Sequence, residues 1–190
     1  PPTEEDHVMP DAHFVAAVRF RQRASQLPDG RPRFCQHFNA ETKSFCGAQL
    51  DCRGQHARRC KAGGLVVRRH DRIRDWLARL VTSLSGKPTL TEQFVPQWDR
   101  LGQNGETERA KLDVSFDNAQ GRRVHIDVAI TDAATVDVDE LRRRAARDGM
   151  AATRKEDQKR VRYPGPELLP FVLEALGKPG ASANAFLKAL

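Results

Sequence analysis

The chain has 190 residues, of which 39% are hydrophobic and 6% aromatic, and its 32 Lys and Arg residues outnumber its 25 Asp and Glu residues. This length accommodates one ordinary domain with a small module and excludes two large domains. No apolar run approaches the roughly 20 residues of a membrane-spanning helix, and residues 1–6 are acidic where a secretory signal would be basic and then apolar. We therefore expect no membrane partner and no targeting signal within the chain. The net charge of +7 favours a polyanionic partner.

Residues 1–34 predict an acidic lead followed by a short helical or linker segment. Residues 35–62 predict a small zinc-binding module, because all four cysteines of the chain lie within them. Clustering of this kind, without a sign of export, is typical of a zinc site rather than of a secreted disulfide scaffold. Residues 63–190 contain no cysteine and predict a larger α/β domain.

Zinc prefers four sulfur or nitrogen ligands arranged as a tetrahedron. Cys35, Cys46, His56 and Cys60 offer such a CCHC set, and the last two are close enough in sequence for one helical turn to place both on one metal. Cys52 could replace Cys35 or Cys46, and a neighbouring histidine is a weaker substitute. The sequence therefore predicts a structural zinc ion, with Cys52 as an alternative to one of the cysteine ligands.

An amphipathic helix is predicted to follow the glycine pair at residues 63–64. Its apolar residues recur at spacings of three and four until Gly86-Lys87-Pro88 ends it; they are Ile73, Trp76, Leu77, Leu80, Val81 and Leu84. His70 lies on the same stripe, which favours a core histidine over a catalytic base. Residues 89–95 then predict a strand, and residues 97–109 predict an exposed loop.

The most informative pattern lies between residues 111 and 130. Two stretches in which apolar and polar residues alternate are separated by turn-forming residues 117–121, which predicts a β-hairpin. One face is expected to carry Leu112, Val114, Phe116, Val124, Ile126 and Val128. Asp113 and Asp127 fall on the other face with His125, and they lie opposite one another because they are symmetric about residue 120.

Two carboxylates in register repel each other, at a cost that a cation or a shared proton relieves. Asp113 and Asp127 are therefore candidate ligands of Mg²⁺ or Mn²⁺, ions that prefer oxygen donors. Glu92 and Gln93 on the preceding strand are further candidate ligands. The alternative is a solvated strand face on which Lys111 and His125 are the partners of the pair.

Residues 138–162 predict one helix rich in arginine and alanine. Its stripe at spacings of three and four begins apolar and continues to Lys155 and Lys159. Lysines on a packing face are unusual, so they either extend past the sheet or one of them points at the carboxylate pair. Residues 168–175 predict a closing strand, and a short terminal helix is expected after Gly177-Lys178-Pro179-Gly180.

Clustered arginines predict contacts with the phosphates of nucleic acid. Any one run is more typical of a solvated helix face, but together the runs favour duplex DNA as a partner. The candidates are Arg58, Arg59, Arg68, Arg69, Arg72, Arg143 and Arg147.

The order of a helix, a strand, a carboxylate-bearing hairpin and a helix with lysine resembles the restriction-endonuclease-like, or PD-(D/E)XK, core. That core is an α/β fold with a mixed sheet flanked by helices. Its motif pairs an Asp on one strand with Asp or Glu, then x-Lys, on the next. Here the second strand reads Asp127-Val128-Ala129, so the lysine is missing from its usual place.

With the cysteine-rich module in front, the chain resembles the C-terminal part of site-specific non-LTR, or LINE-type, retrotransposon reverse transcriptases. There a CCHC zinc knuckle leads into a restriction-like endonuclease whose motif is Lys/Arg-Pro-Asp, 12 to 14 residues, then Asp or Glu. The matching stretches here are Cys35 to Cys60, Arg69-His70-Asp71, and Lys111-Leu112-Asp113 with thirteen residues before Asp127. Leu112 stands where the family often has proline.

The resemblance implies a divalent-metal-dependent DNA endonuclease that nicks target DNA and leaves a 3′-hydroxyl to prime reverse transcription. It implies that Asp113 and Asp127 hold Mg²⁺ or Mn²⁺ and that Lys159 or Lys155 is the catalytic lysine. It also implies double-stranded target DNA, template RNA and a reverse transcriptase domain of the same polypeptide as partners, with action in the nucleus. The competing hypothesis, which the missing strand lysine permits, is a non-catalytic nucleic-acid-binding module on a degenerate nuclease fold.

Overall fold

The computed structural model describes residues 11–22, 24–27, 29–134 and 137–190. Residues 1–10, which include the acidic residues at the start of the chain, lie outside the described residues. The chain divides into two compact units, residues 1–68 and residues 69–190, which we call unit 1 and unit 2. The division falls inside a helix, slightly later than the boundary at residue 62 that the cysteine pattern predicts.

Unit 1 is built from short elements around the cysteines. They are α1 (Asp11–Arg21), β1 (Phe38–Asn39), β2 (Ser44–Phe45), α2 (Gln55–Arg59), a 3-10 turn (Ala62–Gly64) and the start of α3 (Leu65–Ser85). The two strands pair antiparallel, with Phe38 opposite Phe45 and Asn39 opposite Ser44. Elements this short bury little apolar surface, so something other than a hydrophobic core must stabilise them.

Unit 2 is a mixed α/β arrangement. After α3 come β3 (Leu90–Phe94), β4 (Arg100–Leu101), β5 (Thr107–Glu108), β6 (Lys111–Asp117), β7 (Arg123–Thr131), α4 (Val138–Ala145), α5 (Met150–Arg162), β8 (Leu168–Glu174) and α6 (Ala181–Ala189). Four strands form one sheet in the order β3-β6-β7-β8, in which only β7 and β8 run parallel. Among the described helices, none combines the length and the apolar character that crossing a membrane requires.

Helices cover both faces of this sheet. On one face, side chains of α3 and α6 pack on the strands in a cluster of Leu77, Ala78, Val81, Val114, Phe116, Ile126, Val128, Phe171 and Ala183. On the other face, Ala152 of α5 packs against Ala129 and Val172. The two sets follow from the period of a strand, because Val128 and Ala129 are adjacent and point to opposite sides. The mixed sheet with flanking helices that the sequence predicts is confirmed.

The predicted β-hairpin is also confirmed. β6 and β7 pair in the register that runs from Val114 opposite Ile126 to Asp117 opposite Arg123. One residue of the expected apolar face departs from it, because Leu112 is buried in a second cluster with Val95, Trp98, Ala110 and Leu168. Leu112 lies beyond the β6–β7 register, although it still pairs with Gln93 of β3.

The prediction of an exposed loop over residues 97–109 is correct in that most of these residues are exposed, but wrong in that the stretch has regular structure. Residues 96–98 form a 3-10 turn, and β4 and β5 form a small antiparallel hairpin. Trp98 is only 5% exposed, and its indole Nε1 donates a hydrogen bond of 2.8 Å to the carbonyl of Pro164. The turn-forming residues of this stretch do not indicate its buried aromatic side chain, Trp98, which attaches the stretch to the carbonyl of Pro164.

The single helix predicted over residues 138–162 is two helices. α4 ends at Ala145, and α5 begins at Met150 after Gly149, whose φ of 72° is left-handed. A left-handed residue cannot continue a right-handed helix, and glycine adopts that conformation without strain. The predicted strands at β3 and β8 and the predicted helices α3 and α6 are confirmed.

Candidate functional site

Unit 1 brings the four predicted zinc ligands together. The sulfur atoms of Cys35, Cys46 and Cys60 and a ring nitrogen of His56 all lie within 4.8 Å of one another. The Sγ atoms of Cys35 and Cys60 are 3.7 Å apart, and Cys46 Sγ lies 3.4 Å from His56 Nε2. Tetrahedral zinc, with Zn–S near 2.3 Å and Zn–N near 2.0 Å, requires S–S and S–N separations of about 3.8 and 3.6 Å. The cluster therefore has the size and the donors to bind zinc.

Backbone pairing places two of these ligands. The amide of Cys35 donates to the carbonyl of Ala48 at 2.8 Å, and the amide of Cys46 donates to the carbonyl of His37 at 2.8 Å. Gly47 follows Cys46 in a left-handed conformation, with φ 66°, and turns the chain beside the sulfur. The pairing thus holds the two thiols on one side of a short ribbon.

His56 is placed by a carboxylate at the start of α2. The side chain of Asp51 accepts hydrogen bonds from the backbone amides of Arg53 at 3.0 Å, Gln55 at 2.8 Å and His56 at 2.6 Å. Burial raises the pKa of Asp51. The hydrogen bonds from the backbone amides together lower it by more, so the pKa lies below its ordinary value. An ionised Asp51 therefore caps α2 and fixes the backbone that carries the His56 ligand.

Cys52 does not belong to the cluster. It is exposed, whereas Cys35 and Cys60 are 3% and 4% exposed. Burial is the largest cause that raises the pKa of Cys60, to about 11. Without a metal, a buried thiol of this kind would have to be surrounded by apolar side chains. Ligation of zinc would make such an apolar environment unnecessary.

Unit 2 brings together the two predicted aspartates and one of the two predicted lysines. Lys159 Nζ lies 2.7 Å from Asp127 Oδ2, and the side chains of these residues are 21% and 7% exposed. Lys155 Nζ instead lies 3.4 Å from the side-chain oxygen of Gln158. The geometry therefore singles out Lys159 as the lysine that reaches the Asp127 carboxylate.

Asp113 is held by the opposite strand and by α3. Its Oδ2 accepts a hydrogen bond of 2.7 Å from the backbone amide of Val128 and lies 3.3 Å from His70 Nε2. The same nitrogen of His70 lies 3.2 Å from the carbonyl of Val128. The hydrogen bond with Asp113 is the main cause that raises the pKa of His70, to about 9, so the imidazole is cationic at neutral pH.

His70 is thus a member of this carboxylate–lysine centre, which the sequence did not indicate. Its position on the apolar stripe of α3 predicts a core histidine, and it is indeed half-buried, but it contacts Asp113 rather than apolar side chains alone. The centre consists of Asp113 and Asp127 flanked by one cation each, His70 and Lys159. The Arg69-His70-Asp71 stretch was the one signal that could have pointed to it.

Burial makes Asp127 a costly carboxylate. Desolvation is the largest cause that raises its pKa, and the neighbouring Asp113 adds to the rise, while Lys159 opposes it. Its buried Oδ2 receives no well-aligned hydrogen bond from the described residues, although the ammonium of Lys159 is close. Two neighbouring carboxylates form an oxygen set that suits a hard divalent cation such as Mg²⁺ or Mn²⁺.

Glu92 is engaged elsewhere. It falls opposite Asp113 between the paired positions of β3 and β6, and its φ of 54° is left-handed. Its carboxylate contacts Arg74 at 2.6 Å and Lys111 at 2.5 Å, so both oxygens already face cations. Gln93 donates to the carbonyl of Thr91 at 3.0 Å. Both oxygens of Glu92 therefore face cations outside the centre, whereas the contact of Gln93 uses its amide nitrogen.

His125 serves packing. Its Nδ1 hydrogen-bonds with the buried Ser115 Oγ at 2.7 Å, and its ring packs edge-on against Trp98, with centroids 5.5 Å apart. Burial is the main cause that lowers the pKa of His125, which favours the neutral ring. It shares the face of Asp127, as the alternation predicts, but it is held by its neighbours.

The predicted phosphate-binding arginines occur in both units. Arg58, Arg59 and Arg68 belong to unit 1; Arg69, Arg72, Arg143 and Arg147 belong to unit 2. Some of them have structural contacts, since Arg68 donates to the carbonyl of Gly63 at 3.1 Å and Arg143 pairs with Glu140 at 3.0 Å. Arg72 and Arg147 are exposed.

The chain matches no model of a known protein family, no curated protein and no solved structure.

Proposed function

We propose that unit 2 is a divalent-metal-dependent DNA endonuclease with a restriction-like fold. The single observation that carries the proposal is the meeting of Asp113, Asp127 and Lys159, with the lysine 2.7 Å from the second aspartate. Two carboxylates and a lysine are the groups that the resemblance implies for phosphodiester hydrolysis. The lysine comes from α5 rather than from the strand, which accounts for its absence after Asp127 in the sequence.

The topology supports the same proposal. The order α3, β3, β6, β7, α5, β8, with an antiparallel hairpin followed by a parallel closing strand, resembles the order expected of a restriction-endonuclease-like core. Asp113 and Asp127 lie next to the end of the β6–β7 pairing, where the amide of Val128 donates to a carboxylate instead of to the opposite strand. A pair of strands that parts at this point leaves room between them for a phosphate group.

Each residue then has a distinct task. A divalent ion held by Asp113 and Asp127 would polarise the scissile phosphate and lower the pKa of a bound water. Lys159 supplies positive charge beside Asp127, where negative charge increases on the phosphorus oxygens during hydrolysis. His70 and the amide of Val128 fix the orientation of the Asp113 carboxylate. Burial of Asp127 keeps competing water away from its oxygens.

Within this proposal the chain is part of a retrotransposon protein that nicks target DNA and leaves a 3′-hydroxyl for target-primed reverse transcription in the nucleus. The zinc module, with the Cys35, Cys46, His56 and Cys60 ligands, would be its structural knuckle, and the exposed arginines would bind the duplex. A reverse transcriptase domain and template RNA would be its further partners.

The test is a nicking assay with zinc-loaded protein and supercoiled plasmid in Mg²⁺ or Mn²⁺. We expect open-circular product, loss of that product in Asp113→Ala and Asp127→Ala, and retention in Asp117→Ala, which removes an exposed carboxylate of the same hairpin. Extension of the nick by an added polymerase would show the 3′-hydroxyl. The unmutated chain could instead bind the duplex without metal-dependent nicking. If it does so both alone and joined to a reverse transcriptase domain, the result would support the non-catalytic module.

A further inference from the structure

The two-stranded ribbon of unit 1, which carries the candidate zinc ligands Cys35 and Cys46, has two chemically different faces. Residues 34–39 run antiparallel to residues 44–49, from the bridge between Phe34 and Gln49 to the pair of Phe38 with Phe45. Exposure alternates along residues 34–39 and along residues 45–49. The zinc ligands Cys35 and Cys46 lie on the less exposed face, so successive residues point the other way.

The outward face carries aromatic and amide side chains. Phe34, Phe38 and Phe45 are 55%, 45% and 61% exposed. The rings of Phe38 and Phe45 meet edge to face, with centroids 5.4 Å apart. Gln36 and Gln49 are exposed on the same face. We call these five residues the aromatic face; Gly47 also lies on it, and a Cβ there would approach only the carbonyl of Phe45, at 3.9 Å.

Leaving a phenylalanine side chain exposed to water is unfavourable in free energy. A cluster of exposed phenylalanines marks an interaction surface more often than single, scattered ones do. The surrounding charge indicates the partner. Residues 29–62 carry seven basic side chains, Arg31, Arg33, Lys43, Arg53, Arg58, Arg59 and Lys61, against three acidic ones, Asp29, Glu41 and Asp51. Three thiolates around Zn²⁺ subtract one charge, so the module stays cationic. A polyanion that also presents flat apolar rings complements such a surface.

We propose that the aromatic face binds single-stranded nucleic acid by stacking unpaired bases on Phe34, Phe38 and Phe45. The ribbon between Phe34 and Phe38 spans about 13 Å, which suits two or three bases, the number that sheet-borne aromatic residues stack in RNA-binding domains. Gln36 and Gln49 offer donors and acceptors to base edges, and Gly47 lets a base approach the backbone. Arg33 precedes this face and Lys43 lies in the turn that ends it, so cations for the phosphates stand at both ends.

This inference concerns unit 1 and does not depend on cleavage by unit 2. The test uses the zinc-loaded full chain and the fluorescence anisotropy of labelled oligonucleotides, without added Mg²⁺ or Mn²⁺. Single-stranded DNA, single-stranded RNA and the matching duplex are compared at one fixed salt concentration. The DNA and RNA arms show which single strand is preferred, since both share the stacking chemistry.

We expect Phe38→Ala and Phe45→Ala each to weaken single-strand binding by about 5- to 100-fold, the range for loss of one base-aromatic stack. Phe38→Trp, which keeps an aromatic ring, should retain the affinity. Phe94→Ala, which removes a phenylalanine of similar exposure from β3, should change it less than 2-fold. Zinc content is measured for every variant, since the mutated side chains point away from the ligands.

Four results would overturn the proposal. The first is unchanged single-strand affinity in both alanine variants that retain zinc. The second is an equal loss of single-strand and duplex affinity, which would assign the effect to general electrostatics. The third is self-association of the wild-type chain that the same variants abolish, which would make a second copy the occupant of the aromatic face. If an alanine variant loses zinc, equal weakening in Phe38→Trp would overturn it as well.

Discussion

Lys159 Nζ lies 2.7 Å from Asp127 Oδ2, although β7 carries the aspartate and a separate helix, α5, carries the lysine. The contact depends on the break at Gly149, because α5 starts its own turn there and presents Ala152 and Lys159 to the sheet. Ala152 packs on Ala129, and Lys159, two turns later, passes over Asp127. The small side chains at this contact let the helix approach closely enough for the ammonium to reach the carboxylate.

Replacing Lys159 with methionine tests this relationship. Lys159→Met keeps the apolar stem and removes the ammonium, so we expect metal-dependent nicking to fall by about 100-fold or more, the contribution typical of a positioned proton-transfer or charged group. Lys155→Met, one turn earlier on the same helix, should stay near the wild-type rate. Initial rates on supercoiled plasmid measure both. Equal losses in the two variants would contradict the assignment of Lys159.

Divalent ions should stabilise the folded chain through Asp113 and Asp127. An ion that binds only the native state adds about 2.7 kcal/mol at 100 times its Kd, which raises the melting temperature of a domain of this size by roughly 2–4 °C per kcal/mol. We expect Mg²⁺ or Mn²⁺ to raise the melting temperature of the wild type but not of Asp113→Asn. Asp117→Asn is the matched control, and its response should equal that of the wild type. Calorimetry with and without the ion measures the difference.

The local parts of these sites could be predicted from the sequence, whereas the long-range parts could not. The closeness of Asp113 and Asp127 follows from a short hairpin whose pairing reaches Val114 opposite Ile126, and the cluster of candidate zinc ligands follows from their close spacing in the sequence. The contact of His70 with Asp113 joins α3 to β6, which are far apart in sequence, so no local pattern predicts it. Gly149 resembles any helix-interior glycine until its left-handed φ is seen.

Zinc should be required for unit 1 and dispensable for the sheet of unit 2. Unit 1 has few buried apolar side chains, so its folding energy must come mainly from ligation. We expect one zinc per chain in the wild type and in Cys52→Ser, and loss of zinc in Cys60→Ser. A chelator should expose the amides of residues 35–62 to hydrogen exchange and leave those of β6 and β7 protected. Full zinc content in Cys60→Ser would refute the ligand set.

Asp51 should position His56 without binding the metal itself. Its carboxylate accepts three backbone amides at the start of α2, including that of His56 at 2.6 Å. Loss of such a supporting contact typically lowers metal affinity by about 10- to 100-fold. We expect this loss in Asp51→Ala and partial recovery in Asp51→Ser, since a hydroxyl can cap a helix. Competition with a chromogenic zinc chelator gives the affinities, and Glu41→Ala, at an exposed acidic residue of the same module, should leave them unchanged.

Glu140 should make the stability of unit 2 depend on acid pH. Arg154 is the first cause that holds the pKa of Glu140 down, to about 2, and Arg144 and Arg143 add to it. Because the folded pKa lies below the ordinary value of 4.5, this carboxylate stabilises the fold fully above about pH 4.5. That contribution decreases as the pH falls and is lost as the pH passes through 2.

The Glu140→Gln variant isolates this effect. Its melting temperature should lie below that of the wild type at neutral pH, and the gap should narrow from about pH 4.5 towards pH 2 as the wild-type carboxylate takes up its proton. Asp139→Asn removes a 75% exposed neighbour that pairs with Arg142 and should show a smaller gap at every pH. Thermal unfolding followed by circular dichroism at several pH values measures the three proteins. A gap for Glu140→Gln that stays constant down to pH 2 would show that its arginine contacts contribute through shape rather than charge.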